Sequence, residues 1–260
     1  NSNIISYGDI ILTASYNINQ ADTTIIDSNG GNIHLAADTD ANGKGGITQN
    51  GTAQIVSDGG DIKLTAGIAP FTGGGDILLT LINAGSGDVF IGSGLGSILG
   101  NNGAILNITA HTLELWANGD IGKDDDETDY TLYTQVSELY AFAEEDIGVI
   151  LGPDETGNGE GYFDPGISNN GNLELVEVEA NRVAIRTESN LYVGNVIADE
   201  VVGLEADGSI LDGNGPTNNI IATNLILSAV SGIGTASDAL ETQVLKLQAT
   251  NTTQGNISIT

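Results

Sequence analysis

Apolar and polar residues alternate along short stretches of the chain, and one phrase of this kind recurs. It reads Gly8-Asp9-Ile10-Ile11-Leu12-Thr13-Ala14, then Gly31-Asn32-Ile33-His34-Leu35-Ala36-Ala37, Gly60-Asp61-Ile62-Lys63-Leu64-Thr65-Ala66 and Gly75-Asp76-Ile77-Leu78-Leu79-Thr80-Leu81. Later copies lose the leading glycine and keep the alternation, as in Leu113-Glu114-Leu115-Trp116-Ala117, Leu225-Ile226-Leu227-Ser228-Ala229 and Leu245-Lys246-Leu247-Gln248-Ala249. A period of two puts the aliphatic residues on one strand face and the polar ones on the other. Helices need spacings of three and four, and Gly-Asp starts with abundant Thr and Ile do not favour them. The phrases therefore predict half-buried strands, with Ile10, Leu12, Ala14, Ile33, Leu35, Ala37, Ile62, Leu64 and Ala66 pointing inward.

The spacing of the phrases predicts how the strands are arranged. Ile10 to Ile33 is 23 residues, Ile210 to Ile233 is 23 and Ile233 to Ile257 is 24. Coils of roughly 20–25 residues are too short for a propeller blade and suit a β-solenoid. Intervals of 15 from Ile62 to Ile77 and 12 from Ile77 to Val89 imply several short strands in each coil. The glycine before each strand is expected to allow a sharp corner, and the Asp or Asn beside it to bond the turned backbone.

Residues 1–121 are tightly repetitive, and the alternation returns at Leu173. Between them, 123–129 and 152–172 are expected to be loop excursions from a single solenoid spanning 1–260. The phrases above, with Gly208-Ser209-Ile210-Leu211-Asp212-Gly213-Asn214-Gly215 and Gly232-Ile233-Gly234-Thr235-Ala236-Ser237-Asp238-Ala239-Leu240-Glu241-Thr242, resemble the filamentous-haemagglutinin-type repeats of very large bacterial surface proteins. The resemblance spans most of the chain in short degenerate phrases. It implies an all-β, right-handed parallel β-helix, secretion, and a role in adhesion or an extracellular layer. No amino-terminal secretion domain of that family is recognisable, so two-partner export is not implied.

Charge narrows the partners. Six Lys and Arg stand against 35 Asp and Glu, a formal net charge of −29. Such a chain repels nucleic-acid backbones and anionic membrane surfaces, and no apolar run approaches the roughly 18 residues of a membrane helix. The absence of Cys excludes disulfides, thiolate metal sites and thiol nucleophiles. There is no Met, and Asn1 opens a polar segment without a basic leader, so the chain is expected to be a processed product or a piece of something longer.

The sharpest local motif is Asp38-Thr39-Asp40-Ala41-Asn42-Gly43-Lys44, which matches the opening of a calcium loop. Oxygens of Asp38, Asp40 and Asn42 would converge, and Lys44 would lend its carbonyl. Gln49 stands where an EF-hand needs a bidentate Glu, so water or a neighbouring coil would have to complete a Ca2+ site. A polar turn between strands is the competing reading. Asp154-Glu155-Thr156-Gly157-Asn158-Gly159-Glu160 is a weaker echo, with Asp154, Asn158 and Glu160 as candidate ligands. The acids of 124–129 favour either solvent or a cation.

Catalytic signals are poorer. Parallel β-helices can host polysaccharide lyases and hydrolases built on carboxylates with Arg or Lys, or on a carboxylate pair. Arg182 and Arg186 share a strand with Glu174, Glu177, Glu179 and Glu188, yet surface ion pairing explains such proximity in a chain this acidic. His34 and His111 fall on separate coils. Trp116 is the sole Trp; alternating with Leu115, it should face outward, either as a ligand contact or under the 123–129 segment. The leading expectation is a non-enzymatic extracellular or cell-surface rod without nucleic-acid partners or membrane insertion. Its partners would be copies of itself stacked end to end or further coils of the same polypeptide, together with cell-surface glycans or proteins. A β-helical polysaccharide lyase or hydrolase and a calcium-binding module are the alternatives.

Overall fold

The computed structural model describes residues 2–40, 42–43, 45–67, 73–122, 130–151, 162–253 and 255–260. The fold is an all-β parallel β-helix, with no helix among the described residues. None of these residues therefore forms a helix long and apolar enough to cross a membrane.

Each coil contributes strands to three faces, and each strand pairs in parallel with its counterpart in the next coil. On the first face Ile10–Thr13, Ile33–Ala37, Ile62–Ala66, Val89–Ser93, Thr112–Ala117 and Glu138–Ala143 follow one another. The second face stacks Ile18–Gln20, Ile47–Gln49, Ile77–Leu79 and Ile98–Gly100. On the third, Ile4–Ile5, Ile25–Asp27, Gln54–Val56, Leu81–Asn83, Ile108–Thr109, Leu132–Gln135 and Ile167–Asn169 are in register. Then the design changes. The 15-residue strand Leu173–Thr187 pairs with elements of all three faces, and the 16-residue Leu191–Ala206 lies along it.

Registry turns the alternation into aliphatic columns. Ile18, Ile47, Ile77, Ile98, Ile121, Ile147, Val183, Val202, Leu225 and Leu247 stack as successive partners. From Ile47 to Leu225 all are at most 1% exposed. Burying one such side chain contributes about 1.5–3 kcal/mol, so the column is a principal source of stability. The inward set predicted from sequence is buried except Leu12 and Ala14, which are half-buried in a coil with fewer neighbours.

Coil length is more variable than the phrase spacing predicted. Leu173 to Leu191 is 18 residues, whereas Leu139 to Leu175 is 36. The segments 123–129 and 152–161 lie outside the described residues, but the rest of the expected 152–172 excursion does not leave the solenoid altogether. Tyr162–Asp164 pairs antiparallel with Val149–Leu151, and Ile167–Asn169 lies in the third face between Leu132–Gln135 and Leu173–Thr187.

The corners explain the Gly-Asp phrases. Gly31, Gly60 and Gly87 do not adopt positive φ; a Cβ on each would collide with the backbone of Gly8, Gly31 and Gly60 respectively. Their role is close approach between coils, while the turn itself is made by Asn29-Gly30 and Asp58-Gly59, all at positive φ. The adjoining Asp or Asn bonds the next coil. Asp9 Oδ1 accepts from Asn32 N at 2.8 Å, Asn32 Oδ1 from Asp61 N at 2.9 Å, Asp61 Oδ1 from Asp88 N at 3.0 Å, and Asp88 Oδ1 from Thr112 N at 3.1 Å. A buried amide ladder seals another corner, where Gln49 Nε2 donates to Gln20 Oε1 and Gln49 Oε1 accepts from Thr80 N, both at 3.0 Å.

Candidate functional site

The outward side chains of the first face form two rows fixed by strand register. One runs His34, Lys63, Phe90, Glu114, Tyr140, Glu177; the other runs Ala36, Thr65, Gly92, Trp116, Phe142, Glu179. Inward Leu113, Leu115, Leu139 and Ala141 anchor the two central strands in the core, which fixes the aromatic residues between them on the outer surface.

Trp116 and Phe142 therefore meet across adjacent coils, their ring centroids 5.4 Å apart and tilted by 34°. Trp116 Nε1 donates to Glu114 Oε1 at 2.7 Å, which fixes the indole in the row. Along with Tyr140, Glu177 and Glu179 these residues line a depression of about 120 Å³. It adjoins a second, more polar hollow through Phe142 and Glu179, lined also by Glu144, Asn181 and Asp199. Phe90 lies one coil before Glu114 in the same row, and Lys63 Nζ, from the coil before that, sits 5.0 Å from the centre of its ring. Burial and the charge of Lys63 both push the neighbouring His34 below its ordinary value.

The surface thus combines ring faces with carboxyl oxygens and can receive a cation or a polyhydroxylated ligand. Trp116 is half-buried and on the outer face, as its alternation with Leu115 predicts; the 123–129 segment expected to cover it lies outside the described residues. Phe90, Tyr140 and Phe142 were missed in the sequence. Superposing Thr112–Ala117 on Glu138–Ala143 by their alternating Leu and Ala positions would have placed Trp116 beside Phe142.

The other candidates take different places. Asp38 is fully buried at φ 51°, and its carboxyl oxygens accept from Asn42 N at 3.2 Å, Gly43 N at 3.0 Å and Gly74 N at 2.6 Å. Burial pushes its carboxyl up, but the amides of Gly43, Gly74 and Asn42 and the Asp40 side chain outweigh this and hold it below its ordinary value. Asn42 Nδ2 donates to Asp40 Oδ2 at 3.0 Å. Three N–H donors thus reach its two oxygens, and Asp38 acts as a turn-organising acceptor. Lys44, Asp154, Asn158 and Glu160 lie outside the described residues, among which no group of three His, Asp or Glu is placed to hold a metal.

Arg182 and Arg186 turn to acids other than their strand neighbours. Arg182 Nε lies 2.9 Å from Glu200 Oε2 and 3.8 Å from Asp146 Oδ1, and Arg186 Nη2 lies 3.3 Å from Asp207. These are ion pairs between coils. His111 Nε2 lies 4.0 Å from Glu138 and well apart from His34 in the stack. Comparison with protein-family models, curated proteins and solved structures gives no match to this chain.

Proposed function

We propose that the chain is a structural segment of a non-enzymatic, extracellular bacterial rod whose outer faces present side chains to partners. The observation that supports this most is the unbroken aliphatic column from Ile47 to Leu225, each member at most 1% exposed. At about 4.8 Å per coil such a stack makes a stiff extended body, and each coil contacts mainly its neighbours, so length can grow without a new core. The resemblance of the Gly-Asp-Ile phrases to haemagglutinin-type repeats points the same way. Arg182 and Arg186 bridge coils through Glu200 and Asp207, in a manner suited to holding the stack together.

Pulling the chain between its ends in a single-molecule force experiment, alongside incubation with neutral and acidic polysaccharides, tests the reading. The expected record is a series of unravelling steps of one or a few coils, with no new reducing ends or unsaturated products. Polysaccharide turnover abolished by Glu177→Gln would overturn it in favour of a β-helical lyase or hydrolase.

A further inference from the structure

The corner between Ile167–Asn169 and Leu173–Thr187 carries a chemical inference, independent of whether the chain bears load. We propose that Asn170 is a self-modification site, where the side-chain amide is lost and the main chain is rerouted through an isoaspartate. In an Asn-Gly pair the glycine nitrogen can attack the asparagine side chain, because glycine has no Cβ to obstruct the approach. Gly171 N gives up its proton and bonds to Asn170 Cγ, the Cγ–Nδ2 bond breaks, and ammonia leaves with that proton. One water then opens the cyclic imide at either of its two ring C–N bonds to carbonyl carbon, giving aspartate or isoaspartate. Water is the only co-reactant.

Hydrogen bonding selects Asn170 from the other described Asn-Gly pairs; Asn158-Gly159 lies outside the described residues. The attacking nitrogen must be free. Gly30 N donates to Ser57 O at 2.7 Å, Gly43 N to Asp38 Oδ2 at 3.0 Å, Gly119 N to Gly96 O at 3.1 Å and Gly215 N to Asp212 Oδ1 at 3.2 Å. Asn50, Asn102 and Asn170 remain, and the first two are tied by their side chains. Asn50 Nδ2 donates to Gln20 O at 2.9 Å, and its carbonyl accepts from Ala53 N at 3.0 Å. Asn102 Nδ2 donates to Thr80 O at 2.6 Å, and its Oδ1 accepts from Asn107 Nδ2 at 2.8 Å. Asn170 is exposed and is held through its own N–H, which donates to Thr134 O at 2.7 Å. Among the described residues its side chain, its carbonyl and Gly171 N have no hydrogen-bond partner, and a Cβ on Gly171 would meet nothing within 4 Å. The reacting atoms can therefore turn toward one another, with water at hand.

The product alters the corner. Gly171 O accepts from Thr187 Oγ1 and, at 3.3 Å, from Asn169 Nδ2. Asn169 Oδ1 in turn accepts from Thr134 Oγ1 at 3.0 Å and Val136 N at 2.9 Å. Isoaspartate inserts a methylene into the main chain just ahead of the Gly171 carbonyl and draws it away from both donors, loosening a corner that ties three strands together.

Warm incubation of the full chain at mildly alkaline pH, followed by peptide mass spectrometry, tests this. The peptide holding Asn170 should convert first, to an aspartate and an isoaspartate form, the latter accepting a methyl group from a protein isoaspartyl methyltransferase. Asn50 and Asn102 should lag by about two- to ten-fold for each hydrogen bond that must open first. In denaturant this preference for Asn170 should vanish, since the fold creates it. The aged chain should melt below the fresh one, whereas fresh Asn170→Asp, which carries the new charge without the extra methylene, should melt with the fresh native chain. The proposal is overturned if Asn170 keeps its amide while Asn50 or Asn102 converts, or if the preference survives in denaturant. Conversion to aspartate alone, or a fresh Asn170→Asp that melts as low as the aged chain, would equally overturn the rerouting of the main chain.

Discussion

Single residues in this fold are constrained by the neighbouring coil more than by their own turn. Gly60 illustrates this, because the space for its side chain is occupied by the carbonyl of Gly31 and not by anything in its own coil. Gly8 occupies the same place in the first phrase, and a Cβ there would meet nothing within 4 Å. Gly60→Ala should therefore cost about 1–3 kcal/mol through forced separation of two coils, and Gly8→Ala should be close to neutral. Chemical denaturation of both variants checks this, and equal losses would mean that approach to the neighbouring coil does not govern the position. The glycine was visible in the sequence as a corner. Its reason was not, because close approach depends on which residue of the previous coil lies beneath it.

Among elements, strands were legible where a phrase had a near copy and illegible where it did not. Ile33–Ala37 and Ile62–Ala66 follow from a period of two and matching Gly-Asx starts, and they pair residue for residue. The bend in Leu173–Thr187 has no Gly or Pro to announce it; the chain turns with a register shift between Ala180 and Arg182. The candidate site was half legible for a related reason. Trp116 was recognisably outward, but its contact with Phe142 depends on a register across the interval that holds the acidic segment, and the phrase at Glu138–Ala143 has no Gly-Asx start to mark it. Strand order is also held by the Asx ladder, which gives a test at this scale. Asp61→Ala removes the acceptor for Asp88 N and should cost about 1 kcal/mol, whereas Asp61→Asn keeps an oxygen in place and should retain most of that stability. A denaturation midpoint equally lowered in both would show that charge, not the ladder bond, is what matters.

At the scale of the whole molecule, the stack must hold together against a net charge of −29, and its response to acid separates two opposing effects. Protonating surface carboxyls relieves self-repulsion and stabilises the compact state. Asp38 acts in the other direction. Its buried carboxylate accepts three backbone N–H groups and ties the turn after Ile33–Ala37 to Gly74. Because its folded value lies below the unfolded one, this contribution is complete above the ordinary carboxyl range and is lost as pH falls through the lowered folded value. Asp212 is lowered as well: burial opposes the shift, but Asn219, Asn214, Asp238 and Gly215 outweigh it, so it contributes with the same sign. The difference between the native chain and Asp38→Asn isolates Asp38, since general repulsion, Asp212 and His34 are common to both. Asp38→Asn should be less stable at neutral pH by about 1–3 kcal/mol, from the weakened bonds to buried amides. That deficit should shrink steadily below about pH 4, where the Asp38 carboxyl of the unfolded chain takes up its proton first, until pH has fallen through the lowered folded value. Melting curves of the two proteins between pH 7 and pH 2 measure the deficit directly. A deficit that stays constant across the range would show that the Asp38 carboxylate does not gain its stability from the amides of Asn42, Gly43 and Gly74, and that this corner is held by packing alone.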